Sequence, residues 1–300
     1  MPESLRASLL TLVVISTSSL ASPAFAEDDD NNNPACANKN QYTIFNPTPT
    51  ECLREYEPDR PDQTDGPFTI DAGHVALETD IVNYALSSPD EEGTVTEKFL
   101  FGSTDIRVGL TNNLEVDALV QPINALKTRS KHPSKTHWAA GPDMLEIGAR
   151  YVFYGQDTFN RPGATALGIR PFIEIPTVRN GVGEEDVEAG LSGLFAIMFS
   201  EKVELEVMSE IDLAKNEEGS GYHAEYFNTA SLSYEWTPKI STYLEVATLY
   251  GNEGPSGIVN LGVGVWYYIN ENLVLDFGSN FGVTEAADRI NPWIGISKRF

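Results

Sequence analysis

Four stretches of the chain share one pattern: "VGLTNNLEVDALV", "IMFSEKVELEVMSEI", "YEWTPKISTYLEVATL" and "YYINENLVLDFGSNF" each run strand, tight turn, strand. The turns centre on Asn112, Glu201, Pro238 and Glu271, and a fifth hairpin, flanked by "EIGARYVFY" and "TALGIRPFIEIP", spans 155–163. Alternation of apolar and polar residues with period two puts successive side chains on opposite faces of a strand. Turn-to-turn spacing of about 33 to 47 residues accommodates two strands of about ten residues and one longer connection. A hairpin repeated at that period commits the chain to an antiparallel sheet.

From Gly73 to the terminus the pattern yields twelve strands, near 73–86, 99–110, 114–125, 143–154, 164–176, 186–199, 203–214, 222–236, 239–250, 257–269, 273–284 and 289–300. Every other connection is long (87–98, 126–142, 177–185, 215–221, 251–256), and those between are mostly two or three residues; 155–163 and 285–288 are the exceptions. Short turns at one rim, long loops at the other and an even strand count match an outer-membrane barrel. Both chain ends then lie at the short-turn rim, on the periplasmic side.

The faces carry the same message. In the seventh strand Val203, Leu205, Val207, Ile211 and Leu213 oppose Glu204, Glu206, Glu210 and Asp212. A soluble sandwich alternates too, with its polar face in water, so alternation alone leaves both folds open. Aromatic residues near strand ends, Tyr151, Tyr234, Trp236, Tyr250 and Trp293 among them, resemble interfacial girdles, with ordinary core packing as the other reading.

The chain begins with Arg6, an apolar stretch from Leu9 to Leu20, and then Ala24-Phe25-Ala26. This is the three-part form of a secretory signal peptide, placing a cut near Glu27. The apolar stretch is too short for a membrane anchor, and no later run reaches the ~18 residues a spanning helix needs. A barrel escapes that test, because it alternates lipid-facing and lumen-facing residues. The net charge of −24 speaks against nucleic acid as a partner. Cys36 and Cys52, close together in an exported chain, are expected to form a disulfide, and two cysteines with scattered histidines do not suit a zinc or other metal site.

Inside a barrel, the inward parity collects Glu78, Asp80, Asp105, Arg107, Glu115, Asp117, Glu146, Arg150, Arg170, Glu174, Glu204, Glu206, Glu210, Asp212 and Asp276 as pore-lining candidates. They form either a selectivity-setting lining or a cross-linked filling of a narrow interior. No nucleophile motif accompanies His74, His132, His137 and His223, so neither a catalytic residue nor a cofactor is expected. "KTRSKHPSKTH" sets Lys127, Arg129, Lys131 and Lys135 in the longest external loop; lipopolysaccharide phosphate is the expected contact, and a loop folded into the pore is the alternative. "EDDDNNN" opens an acidic, Pro- and Asn-rich segment, 27–72, expected as a solvated periplasmic linker, with a cation or partner site or a short periplasmic plug as its other uses.

Three segments, "DRPDQTDGPFTIDAGHVALETDI" (Asp59 to Ile81), "GIRPFIEIPT" (Gly168 to Thr177) and the terminal "GISKRF", resemble the transporter family labelled MetA-pathway of phenol degradation. The resemblance covers roughly 59–300 and implies an exported barrel in a Gram-negative outer membrane that passes small, hydrophobic or aromatic compounds. It implies no catalytic residue. Lys298 departs from it, standing where an aromatic is usual.

The expectation is therefore all-β: a signal peptide (1–26), an N-terminal segment (27–72) and a twelve-stranded antiparallel transmembrane β-barrel of outer-membrane type (73–300). Its expected work is passive passage of a small solute; the alternative is a structural or adhesive barrel with a closed pore. Expected partners are outer-membrane lipid, lipopolysaccharide, the solute and the barrel assembly machinery, which would read the terminal Phe300.

Overall fold

The computed structural model describes residues 36–90, 92–131, 134–177, 182, 186–216, 220–251 and 257–300. The expected leader with its cut near Glu27, the first residues of the acidic tail and His132 lie outside them. The strands are β1 (Val75–Leu86), β2 (Val95–Phe101), β3 (Thr104–Thr111), β4 (Leu114–Val120), β5 (Ile123–Lys131), β6 (Ser134–Gly141), β7 (Leu145–Tyr154), β8 (Thr165–Ile175), β9 (Glu188–Ser200), β10 (Val203–Lys215), β11 (Tyr222–Thr237), β12 (Ile240–Gly251), β13 (Ile258–Asn270), β14 (Leu273–Gly282) and β15 (Asn291–Arg299).

Twelve of them form a closed antiparallel barrel: β1, β3, β4 and β7 through β15 pair in that order, and β15 returns to β1. At the seam Ala76 lies opposite Arg299 and Asn83 opposite Trp293. Closure leaves no barrel edge unpaired, which a lipid environment requires because nothing there can bond a free strand edge. Phe300 N donates to Val75 O at 2.8 Å. The ring nitrogens of His74 lie 2.9 Å from Phe300 O and 2.8 Å from Thr48 O, so this side chain joins the seam to the N-terminal segment.

Burial decides between sandwich and barrel. Leu244 is 64% exposed while its neighbour Glu245 is 3% exposed; Ile106 is 36% exposed while Arg107 is fully buried. A sandwich in water would bury Leu244 and Ile106. Apolar side chains outside and charges inside form a wall whose outer solvent is hydrocarbon.

Three strands lie beyond the barrel. The end of β1 leaves β3 to pair with β2, β2 pairs with β5, and β5 with β6, so a four-stranded flap rises from the long-loop rim. The stretch 126–142, expected as a loop, is thus largely the hairpin of β5 and β6, and the strand expected at 99–110 is divided between β2 and β3. The polar composition hid this hairpin: beyond the bilayer neither face of a strand has to be apolar. Pairing is reinforced by side chains, since Trp138 stacks on Phe99 with ring centres 6.4 Å apart and Lys127 sits over its indole at 5.2 Å.

The second difference concerns the N-terminal segment. Cys36 and Cys52 are joined by a disulfide. The chain they enclose lies along the short-turn rim, where Ile44 N donates to Leu110 O at 2.8 Å and Thr48 N to Ala72 O at 2.9 Å. From Arg54 to Ile70, in place of a linker apart from the barrel, the chain is folded inside it. Tyr56 and Ile70 share an apolar cluster with Tyr243, Trp266, Val274 and Trp293 of the wall.

Candidate functional site: a plugged lumen

Extended backbone entering a barrel brings amide and carbonyl groups that must find partners away from water. Strand side chains supply them. Glu115 accepts from Ile70 N at 2.6 Å, Glu245 from Gln63 N at 2.9 Å and from Thr64 Oγ1 at 2.6 Å, and Arg107 and Arg150 donate to Phe68 O at 2.7 and 3.0 Å. Trp266 Nε1 donates to Arg60 O at 2.6 Å, and Tyr56 OH to Glu78 at 3.2 Å. At Gly109 the plug backbone runs so close that a Cβ would strike the carbonyl oxygens of Ile70 and Asp71. Gly66 is similarly confined, against the carboxylate of Glu206.

Charges complete the attachment. Asp59 of the plug pairs with Arg107 at 3.0 Å and Arg150 at 2.6 Å, and Asp65 with Arg150 at 3.2 Å. In the other direction Arg60 pairs with Asp80 and with Asp276, each at 2.9 Å. Arg107 also reaches Glu78 and Glu115, both at 3.0 Å, while Arg170 holds Asp117 at 2.5 Å and also pairs with Glu146. Burial by itself would raise the Asp59 carboxyl, but the guanidiniums of Arg107 and Arg150 hold it below the usual carboxylate range. Glu57, two residues earlier, goes the other way: burial pushes its carboxyl up and neighbouring Glu55 adds to the effect.

All fifteen inward candidates face the lumen, but on two unlike walls. Glu78, Asp80, Arg107, Glu115, Asp117, Glu146, Arg150, Arg170 and Asp276 are buried on β1, β3, β4, β7, β8 and β14, and most of these charges meet an opposite one. Asp105 and Glu174 are half-buried on the same side. On β10, Glu204, Glu206, Glu210 and Asp212 are half-buried with no cation in ion-pair reach among the described residues; Ser192 donates to Glu210, and one oxygen of Asp212 is buried without a hydrogen bond. The plug is thus fastened mainly to the arginine wall. Between it and the acidic wall, at the short-turn end, lies a cavity of about 890 Å³. Tyr56, Phe68, Phe159, Trp266 and Tyr268 give it an aromatic lining, and Glu57, Glu204 and Glu206 an acidic one.

Sequence reasoning missed the plug's own contributors, Tyr56, Glu57, Asp59, Arg60 and Asp65. The signal was available: "EYEPDRPDQTDG" is dense in carboxylates, lacks alternation and precedes a barrel carrying inward arginines. At the flap, Lys127, Arg129 and Lys131 share the face that carries Tyr84, Phe99 and Trp138, the continuation of the barrel's outer surface. Lys135 falls on the other face, opposite Ser130. Glu97 lies 3.4 Å from Lys127 and also pairs with Arg129. Phe300 is exposed at the short-turn rim with Lys298 over its ring at 4.2 Å.

A profile of the family described as MetA-pathway of phenol degradation matches residues 58–300. Among curated proteins none matches the chain. Among solved structures the chain is similar to the NanC porin at 6% identity, covering 74% of this chain and 98% of that one, with a TM-score of 0.48. The translocator domain of the autotransporter NalP from Neisseria meningitidis shares 9% identity, with 81% and 90% coverage and a TM-score of 0.49. The CymD monoaromatic hydrocarbon channel shares 12%, with 76% and 88% coverage and a TM-score of 0.39.

Proposed function

The chain belongs to the MetA-pathway of phenol degradation family, and we propose that it is a channel in the outer membrane of a Gram-negative bacterium, passing a small, hydrophobic or aromatic solute when its N-terminal plug yields. One observation carries this reading: a closed barrel, apolar outside and charged inside, whose bore is occupied by the chain's own segment rather than by wall side chains alone. The aromatic lining of the short-turn cavity suits a ring-bearing solute, which would stack on Trp266 or Tyr268. The role is transport without chemistry. In this reading Lys127, Arg129 and Lys131 meet lipopolysaccharide phosphate at the outer leaflet, with Trp138 and Phe99 at the headgroup level.

The plug also favours a second reading, a barrel closed for good that serves a structural or adhesive role. Planar-bilayer recording separates the two. The channel reading expects brief or ligand-dependent openings in the full chain, and long openings when Asp59→Asn and Asp65→Asn release the plug from the arginine wall. Silence in both proteins, with heat-modifiable migration intact, would leave only the structural barrel.

A further inference from the structure

Where the plug passes the acidic wall, three carboxylates from two separate elements converge: Glu57 from the plug, and Glu204 and Glu206 from β10. One oxygen of each lies within 4.8 Å of the other two. No cation or hydrogen-bond donor of the described residues reaches any of the three carboxylates, and Oε1 of Glu204 is buried with no partner. On the opposite wall every carboxylate the plug presents is answered: Asp59 by Arg107 and Arg150, Asp65 by Arg150. The fold therefore compensates negative charge on one flank of the plug and gathers it uncompensated on the other. A buried carboxylate oxygen without hydrogen or cation is costly, and three together repel one another.

We propose that Glu57, Glu204 and Glu206 form a divalent-cation site, suited to Ca²⁺, that ties the plug to β10. A hard cation takes oxygen ligands at about 2.3–2.6 Å, so two oxygens on one ion lie at most about 5 Å apart. The observed separations fall inside that limit. The all-oxygen donor set excludes a soft-metal preference. Ligands drawn from a strand and an extended segment suit the flexible shell of Ca²⁺ better than the strict octahedron of Mg²⁺. With the ion in place the plug is held on both flanks, by arginines on one wall and by the cation on the other; without it the acidic flank pushes the plug away. This inference concerns how the plug is retained, and it stands whichever solute the channel carries.

The test uses the full mature protein, refolded free of lipopolysaccharide and stripped with EDTA. Tyr56, Trp266 and Tyr268 line the same cavity, so Tb³⁺ at the site should give emission excited through their rings, displaced by CaCl₂. CaCl₂ should also raise the unfolding temperature. In Glu204→Gln/Glu206→Gln both responses should be lost, and in EDTA that variant should melt above the wild-type protein because the repulsion is gone. Glu57→Gln leaves the strand untouched and should weaken Ca²⁺ on the order of tenfold. A Ca²⁺ response that survives in the double variant, a Glu57→Gln protein that binds as the wild type does, or a wild-type protein with no response would each overturn the proposal.

Discussion

Arg107 shows at the scale of one residue what holds this interior together. Fully buried, it touches Asp59, Glu78 and Glu115 at 3.0 Å and the carbonyl of Phe68 at 2.7 Å, so it joins the plug to two adjacent strands. A guanidinium suits the place because its planar fork reaches several acceptors at once, which a lysine ammonium cannot copy. Removing one member of a buried ionic group strands the others, at a cost of about 3–5 kcal/mol. Arg107→Met should therefore lower the urea midpoint of the refolded barrel by that equivalent, and Glu115→Gln added to it should recover part. A single variant that unfolds where the wild type does would show that the network contributes nothing to stability.

Among elements, β15 and the disulfide-closed segment have the clearest tests. β15 closes the barrel on β1, and its last bond, Phe300 N to Val75 O, lies at the rim beside His74. Deletion of Phe300 should reduce heat-modifiable barrel in cells while export across the inner membrane continues; normal assembly of the deletion would refute a role in closure. The Cys36–Cys52 bridge, with a sequence separation of 16, closes a loop that in the chain-entropy picture contributes about 3 kcal/mol. Cys36→Ser/Cys52→Ser should loosen that segment, and mass spectrometry of unreduced periplasm-derived protein should find the bridge. Two free thiols there would end this account.

For the whole molecule the division of the lumen matters most. Four acids on β10, Glu204, Glu206, Glu210 and Asp212, face the bore without a cation in ion-pair reach among the described residues, while the inward arginines of β3, β7 and β8 pair with other carboxylates. Carboxylates spaced along one wall bias an aqueous path toward cations. Once the plug is displaced, turning all four into their amides should shift the reversal potential in a salt gradient toward anions, with the barrel retained. An unchanged potential in a conducting protein would assign the acids a structural task alone.

Strand number, strand direction and inward parity were all legible from the chain, because a period-two pattern bounded by tight turns admits few registers and a one-residue slip would turn Arg107 or Glu245 into lipid. The flap was not legible, since Ile123–Lys131 and Ser134–Gly141 pair above the bilayer, where hydropathy imposes no alternation. Nor was the plug. Asp59, Arg60 and Asp65 have no local structure that betrays their use, and a charged, proline-bearing stretch reads as linker until a wall of opposite charge stands beside it. Local periodicity determined the barrel. Only closure of that barrel, by bringing Arg107, Arg150 and Asp276 around a common axis, decided that residues 54–70 belong inside it.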